Sequence, residues 1–431
     1  MLSAVPLVEA YTLSRPRFPR LTSVCATLLI LSACSGSTEI ITPPPPPTTG
    51  FTLSVLPHPD DLATATALGW QSGIPGATVT LMPENTSIAP RSFTSSAQGT
   101  VTIPDLAAGD YEVEASRWFT AAELATLPPG DDGYGFTTRE FLRVGTTSPG
   151  VQLSVPASRR KGLVISEWFF NTGWVPGVGT YSFGGYIELY NNADTTVFLD
   201  GFRVGEAFSQ DVVASYATCA EQAVIKADPQ FLWARHWQRF PGTGREHPLG
   251  PGEAVVVATD GIDHRPLVPD GLDLSSADFE FAGFADADNP SVPNMIDDGV
   301  HADQRGHGFI ADLGVSVMFI AAPLSLPGLP IRRSPGTTMD YLGFSRNLVL
   351  DVVALREKAV SASPECLPIV HAEFDREAAR LMLSNRGTGF KESAQRHVRS
   401  IPGVAQPILQ VTRSTRTDFF AGPRTPGLVQ P

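Results

Sequence analysis

The sequence predicts an all-β protein: two β-sandwiches in tandem, the second with long loop insertions. Three observations lead to this. Glycine and proline number 39 and 38 in 431 residues, enough to punctuate the chain with turns throughout. Short segments alternate apolar and polar residues with period two, the signature of half-buried strands. Turn clusters separate these segments, and few helix-like runs lie between them.

At the N-terminus, Arg15, Arg17 and Arg20 precede an apolar core, Leu21 to Leu31. That core falls well short of the ~20 apolar residues a membrane-spanning helix needs, and it reads as a signal peptide. It ends in Leu31-Ser-Ala-Cys34, which resembles the lipobox of bacterial lipoproteins. The resemblance implies cleavage after residue 33 and acylation of Cys34, with diacylglycerol on the thiol and palmitate among the lipids expected. Residues 34–50 follow as a tether. Its five prolines, Pro43 to Pro47, favour a stiff polyproline II spacer rising ~3.1 Å per residue. Ser35 differs from the aspartate that retains lipoproteins in the inner membrane. The expected location is therefore the cell envelope, lipid-anchored at the outer membrane.

The formal charge is −13, and removal of the leader makes it more negative, since the leader holds three arginines against Glu9. Such a balance argues against nucleic acid and anionic lipid surfaces as partners. The expected partners are the membrane, through the anchor, and a protein or glycan at the cell surface. Of four cysteines, Cys25 leaves with the leader and Cys34 carries lipid. Cys219 and Cys366 remain as a candidate disulfide, permitted in an oxidising envelope.

The first sandwich is expected over residues 51–157, from Phe51-Thr-Leu-Ser-Val-Leu56 to Val151-Gln-Leu-Ser-Val155. Within it, Ile74-Pro-Gly-Ala-Thr-Val-Thr-Leu81, Gly99-Thr-Val-Thr-Ile-Pro-Asp-Leu106 and Ala108-Gly-Asp-Tyr-Glu-Val113 resemble the carboxypeptidase-regulatory-like, or transthyretin-like, module. That family's module is a non-catalytic spacer or binding domain. Trp118 to Phe141 departs from its compact pattern and reads as an exposed loop with a short helix.

The second sandwich is expected over residues 161–431, with inserted loops at about 205–245 and 260–312. Leu163 to Phe170 reads as a buried strand, and Val315 to Ala321, Leu348 to Leu355 and Ile408 to Val411 supply others. Tyr186 to Tyr190 and Thr196 to Gly201, around an Asn-rich turn, read as a hairpin. Val164-Ile-Ser-Glu167, Tyr186-Ile-Glu-Leu-Tyr-Asn-Asn192, Phe198-Leu-Asp-Gly201, Leu249-Gly-Pro-Gly-Glu253 and Thr425-Pro-Gly427 resemble successive signatures of the lamin-tail domain, an immunoglobulin-like sandwich. The chain from about 160 to 427 also resembles a family of bacterial surface lipoproteins without an established activity. It departs from that family in Leu409 to Phe419, where basic residues replace an Asp and an Asn-rich turn.

Catalytic signatures are missing from the sequence: it contains no His-Glu-x-x-His, Gly-x-Ser-x-Gly, Cys-x-x-Cys or phosphate-binding glycine loop. Ser158-Arg-Arg-Lys161 has the Ser-x-x-Lys form without its companion motifs. The richest polar tract runs from Asp286 to Asp312. Its Asp297, Asp298, His301, Asp303 and His307 are candidate ligands for Ca²⁺ or Zn²⁺, though their spacing fits no standard loop and a solvated acidic loop is the plainer reading. Glu167 and Glu188 sit in apolar strands, where bonds to backbone or a neighbouring strand are expected. Trp174, Tyr181 and Phe183 in a Gly-rich loop, with Trp233 and Trp237 in a helix-like stretch, are candidate binding aromatics. The expected function is a non-catalytic binding or accessory module with no required cofactor. A metal-dependent hydrolase using residues 297–307, and a lipoprotein partner of an outer-membrane transporter, are the alternatives.

Overall fold

Strand pairing begins directly after the proline run. The computed structural model describes residues 48–84, 87–145, 150–169, 173–175, 179–181, 183–207, 228–268, 270–283, 288–298, 315–333, 340–356, 370–379 and 391–429. Strand Thr48–Pro57 is the middle of a three-stranded sheet, antiparallel to Thr100–Ala107 and parallel to Val151–Val155. A five-stranded sheet accompanies it, in the order Arg91–Thr94, Thr78–Pro83, Gly109–Trp118, Gly133–Val144, Ala157–Arg159. Alternation does what the pattern promised: Phe51, Leu53 and Val55 point inward and pack in one core with Val79, Leu81, Val113 and Phe136.

The stretch from Trp118 to Phe141 is less of a loop than its composition suggested. Its helix is one turn, Ala121–Leu124, closed by a capping box between Thr120 and Glu123. From Gly133 onward the chain is a twelve-residue strand paired along the whole of Gly109–Trp118. Gly135 explains the misreading. A Cβ there would lie 2.3 Å from the Trp118 ring, so this glycine permits close strand contact rather than a turn.

Farther along, a six-stranded sheet runs Phe279–Glu280, Ala254–Ala258, Tyr186–Asn191, Leu163–Phe169, Glu392–Arg396, Phe419–Pro423. The other large sheet runs Ile331–Arg333, Asp340–Ser345, Phe231–Arg239, Arg203–Ala207, Val315–Ala321, Val349–Arg356, with Ile296–Asp297 paired off this path. Leu163, Ile165, Ile187, Leu189 and Val257 of the first meet Val204, Met318, Ile320 and Val353 of the second in a shared core. The outer face of the second sheet is also covered, by a cluster holding Trp237, Phe319, Phe344 and Phe374. The architecture is all-β, as the patterning predicted, and no helix among the described residues is long and apolar enough to cross a membrane.

Two local expectations fail for identifiable reasons. Tyr186–Asn191 forms no hairpin with the next strand; it lies between Leu163–Phe169 and Ala254–Ala258, while Val197–Phe198 pairs with Pro248–Leu249. The Asn-rich turn is a buried fastener. Asn191 donates to the Thr195 and Leu249 carbonyls, and Asn192 exchanges two hydrogen bonds with the Leu409 backbone. The stretch read as helix-like is strand Phe231–Arg239. A bulge between Ala234 and His236 inverts its faces, so Leu232, Ala234 and Trp237 share one core and the period-two alternation of a strand is interrupted. Arg203–Ala207 and Phe231–Arg239 therefore occupy the ends of the segment read as an inserted loop at about 205–245; residues 208–227 lie outside the described residues.

Candidate functional site

Two short basic runs, distant in sequence, meet beside a cleft. The first is Arg159-Arg160-Lys161. The Arg159 N–H donates to the Val411 carbonyl at 3.0 Å, which aligns the run with the C-terminal segment. The Arg159 guanidinium turns to Asp61 at 2.7 Å, Asp132 at 2.9 Å and Asp131 at 3.3 Å. Lys161, two residues on, is left to face the cleft.

The second run carries Arg413, whose φ of 62° is left-handed. For a residue with a Cβ this conformation costs about 1–2 kcal/mol and needs external support. Arg376 supplies it, donating from its N–H to the Arg413 carbonyl at 2.7 Å and from its guanidinium to the Thr412 carbonyl at 2.6 Å. Ser414 then caps the short helix Thr415–Asp418. So held, Arg413 reaches Asp60 at 2.9 Å and Glu373 at 3.6 Å.

The cleft has a volume of about 420 Å³. Asp60 comes from a 3₁₀ turn of the first sandwich, Pro59–Asp61; Arg346, Glu373 and Arg413 come from the second. Each lining carboxylate is engaged by guanidinium: Asp60 by Arg376 and Arg413, Glu373 by Arg346, and Asp351 by Arg396 at 2.6 Å. Partial burial opposes ionisation of Asp60, but the Arg376 hydrogen bond, with the nearby charges of His58 and Arg413, carries its pKa below the ordinary value. Lys161 differs. Among the described residues its ammonium makes no hydrogen bond or ion pair. Burial first, and repulsion from Arg413 next, lower its pKa, while Asp351 and Asp132 partly offset this from beyond contact distance.

The predicted metal ligands do not gather into a site among the described residues. Asp298 accepts from Arg203 at 2.8 Å and Arg239 at 3.2 Å, so two guanidiniums already hold the carboxylate a cation would need. Asp297 lies in the short strand beside Phe231–Arg239. His301, Asp303 and His307 lie outside the described residues, and no group of three or more metal-binding side chains occurs within them. Upstream, His264 is fully buried, with Nδ1 2.5 Å from the Tyr181 hydroxyl and Nε2 3.0 Å from the Asp260 carbonyl. Cys34, Cys219 and Cys366 also lie outside the described residues.

Of the candidate aromatics, Tyr181 and Phe183 do come together, ring to ring at 5.8 Å. The backbone of Trp174 runs in the strand paired with Gly179–Tyr181. Trp233 and Trp237 are corrected: 3% and 0% exposed, they are interior groups, Trp233 stacked under Arg332 and Trp237 against Phe344. Glu167 and Glu188 bond as expected. Glu167 accepts from the Tyr186, Ser393 and Thr425 hydroxyls and the Thr425 N–H. Glu188 accepts from the Ser166 hydroxyl at 2.6 Å and the Gly427 N–H at 2.7 Å. Together they clamp Thr425-Pro-Gly427 to the sheet. Lys161 and Arg413 escaped the sequence reading as site residues; the signal that could have found them is that each lies in a short basic run of an acidic chain.

Residues 250–321 match the profile of a family described as protein of unknown function, DUF4876. The crystal structure of a DUF4876 family protein from Bacteroides thetaiotaomicron is similar to this chain, with a TM-score of 0.50 and 15% identity over 88% of this chain and 96% of that one. This likeness concerns the fold alone; the profile match, over residues 250–321, is a similarity to a family of unknown function. A Bacteroides uniformis protein provisionally described as carbohydrate-binding aligns with 12% identity over 72% of this chain and 99% of that one, at a TM-score of 0.17. Fervidolysin from Fervidobacterium pennivorans, a keratinolytic enzyme related to subtilisin, aligns with 13% identity over 38% and 27%, at 0.18. Scores this low carry no argument. No curated protein matches the chain.

Proposed function

We propose that the chain is a non-catalytic binding module held at the cell envelope by lipid on Cys34, and that the cleft beside Lys161 is where it binds. One observation carries the reading: both sandwiches contribute charged side chains to one cleft, and ion pairs fix most of them in place. A preformed cleft with a few convergent polar groups is the usual form of a binding site. Asp60 and Glu373 are committed to arginines, which suits recognition better than the proton transfers of acid–base catalysis. The envelope address rests on the lipobox-like Leu31 to Cys34 and the proline tether. A lamin-tail-like character for the second sandwich is part of the proposal. The two-sheet core and the clamped Thr425-Pro-Gly427 support it. The partner class is a saccharide or protein at the cell surface.

The test is recovery of the intact protein from membranes, comparing wild type with Asn347→Trp. Asn347 is exposed on the cleft's rim, so an indole there blocks entry without disturbing the core. Material retained by wild type and lost from the variant is the expected result. Identical retention by both would remove the cleft from the proposal. Cys34→Ser is expected to shift the protein out of the membrane fraction.

A further inference from the structure

We infer that the cleft recognises an oxyanion (a carboxylate, sulfate or phosphate group on a sugar-sized ligand) and that Lys161 is its principal contact. The inference rests on the reading of the cleft as a binding site and adds the chemistry of what enters it. Lys161 is a half-buried cation facing the cleft with no compensating contact among the described residues. A partly desolvated ammonium is costly unless paired, and an incoming anion is the partner that relieves the cost. The carboxylates around it are already neutralised from behind, by Arg376 at Asp60 and by Arg396 at Asp351. Among the described residues Lys161 is thus the one lining cation without a carboxylate of its own, in a chain that as a whole carries −13. That contrast confers selectivity, because anions are repelled by the rest of the surface and favoured at this point.

Arg413 strengthens the case independently of charge counting. Among the described residues, it and Asp270 are the two non-glycine positions with positive φ. Its strained backbone brings a guanidinium to the cleft between Asp60 and Glu373, where the carboxylates hold it rigid. Arg346, half exposed and tied to Glu373 at 2.9 Å, flanks it. One ammonium and two planar guanidiniums lining one cleft match the several acceptor oxygens of an oxyanion. Both basic runs that the motif search left without a role thereby converge on one ligand.

Titration calorimetry on the full chain in detergent tests this, with galacturonate, sulfate and inorganic phosphate as probes and galactose as the neutral control. At least one anion is expected to bind about ten-fold or more tightly than galactose, and the probe that binds identifies which oxyanion source is read. Lys161→Gln is expected to weaken that anion about ten-fold, and Lys161→Arg to restore it to within about three-fold. A melting curve supplies the second readout. Without anion, Lys161→Gln is expected to melt no lower than wild type, and the anion that binds should raise the wild-type Tm more than that of the variant. Equal binding of galacturonate and galactose, or anion binding unchanged in Lys161→Gln, overturns the anion inference. So does a lack of binding by any probe at ~10 mM. The binding-site reading falls separately, only if Asn347→Trp keeps everything that wild type retains.

Discussion

The Tyr134 hydroxyl donates to the Leu409 carbonyl at 3.1 Å and accepts from the Ser158 hydroxyl at 2.8 Å. Ser158 in turn accepts from the Val411 N–H at 3.1 Å, so a buried hydrogen-bond relay runs from the first sandwich into the C-terminal segment. The relay fixes Val411 and therefore the wall of the cleft. Burial pushes the Tyr134 phenol well above its ordinary pKa, so it stays a donor at every physiological pH. Tyr134→Phe is expected to cost about 1–2 kcal/mol, because Leu409 keeps its bond from Asn192 while Ser158 loses an acceptor. Urea denaturation measures it, and an unchanged midpoint would show that the relay is dispensable.

Arg396 is nearly sealed from solvent and bonds Asp351 at 2.6 Å and Asp418 at 3.4 Å. Arg396→Met leaves two buried carboxylates without their cation, an effect on the order of 3–5 kcal/mol. Burial already pushes Asp418 up to about 6 against the pull of Arg396. Losing the arginine raises Asp418 further, so the variant's deficit should shrink as pH falls from 7 to 5. A deficit that grows on acidification would contradict this account.

Glu188 has a sign opposite to that of most carboxylates. Burial first, then repulsion from Glu167, raise its pKa from 4.5 to about 7, despite the bonds from Ser166 and Gly427. Because the folded value lies above the unfolded one, its contribution is fully present below pH 4.5 and is lost as pH rises through 7. Each unit is ~1.4 kcal/mol, so the decline is a few kcal/mol at most. Glu188→Gln can donate to the Ser166 oxygen and accept from Gly427. Its stability between pH 4.5 and 8 should be flatter than wild type, as thermal melts across that range would reveal.

For the acidic loop, Asp298→Ala is expected to destabilise by ~2–4 kcal/mol through the uncompensated, buried Arg203. The loss should be the same with and without EDTA. If chelation alone reproduces it in wild type, a metal rather than the arginine pair holds the loop.

Strands were legible where packing obeys local periodicity. Leu163 to Phe169 is mostly apolar and buried throughout because neighbouring strands and a second sheet cover it, and Val315–Ala321 emerges with the bounds its pattern suggested. Phe231–Arg239 was not legible, since one bulged residue reverses its faces and breaks the period-two pattern. Glu167 and Glu188 could be read as structural from their apolar surroundings. Their partners at Thr425 and Gly427 could not, because that pairing exists only in three dimensions. The cleft was hidden for the same reason. Asp60, Lys161, Arg346, Glu373 and Arg413 come from separate segments, and no local pattern records which arginine will neutralise which acid.

The clamp on Thr425-Pro-Gly427 also sets the order in which the molecule can be finished. Leu163–Phe169 is hydrogen-bonded to Glu392–Arg396, which is hydrogen-bonded to Phe419–Pro423, so the sheet's middle waits for strands synthesised long after it. Until they arrive, Glu167 lacks its donors from Ser393 and Thr425, and Glu188 its donor from Gly427. Contacts this distant in sequence close slowly. A chain truncated before Glu392 should therefore stall with Leu163–Phe169 as an open sheet edge, exposed to proteases and to other unfinished copies. Thr425-Pro-Gly427 works as a latch: Glu167 and Glu188 keep unfilled acceptor sites until it is supplied.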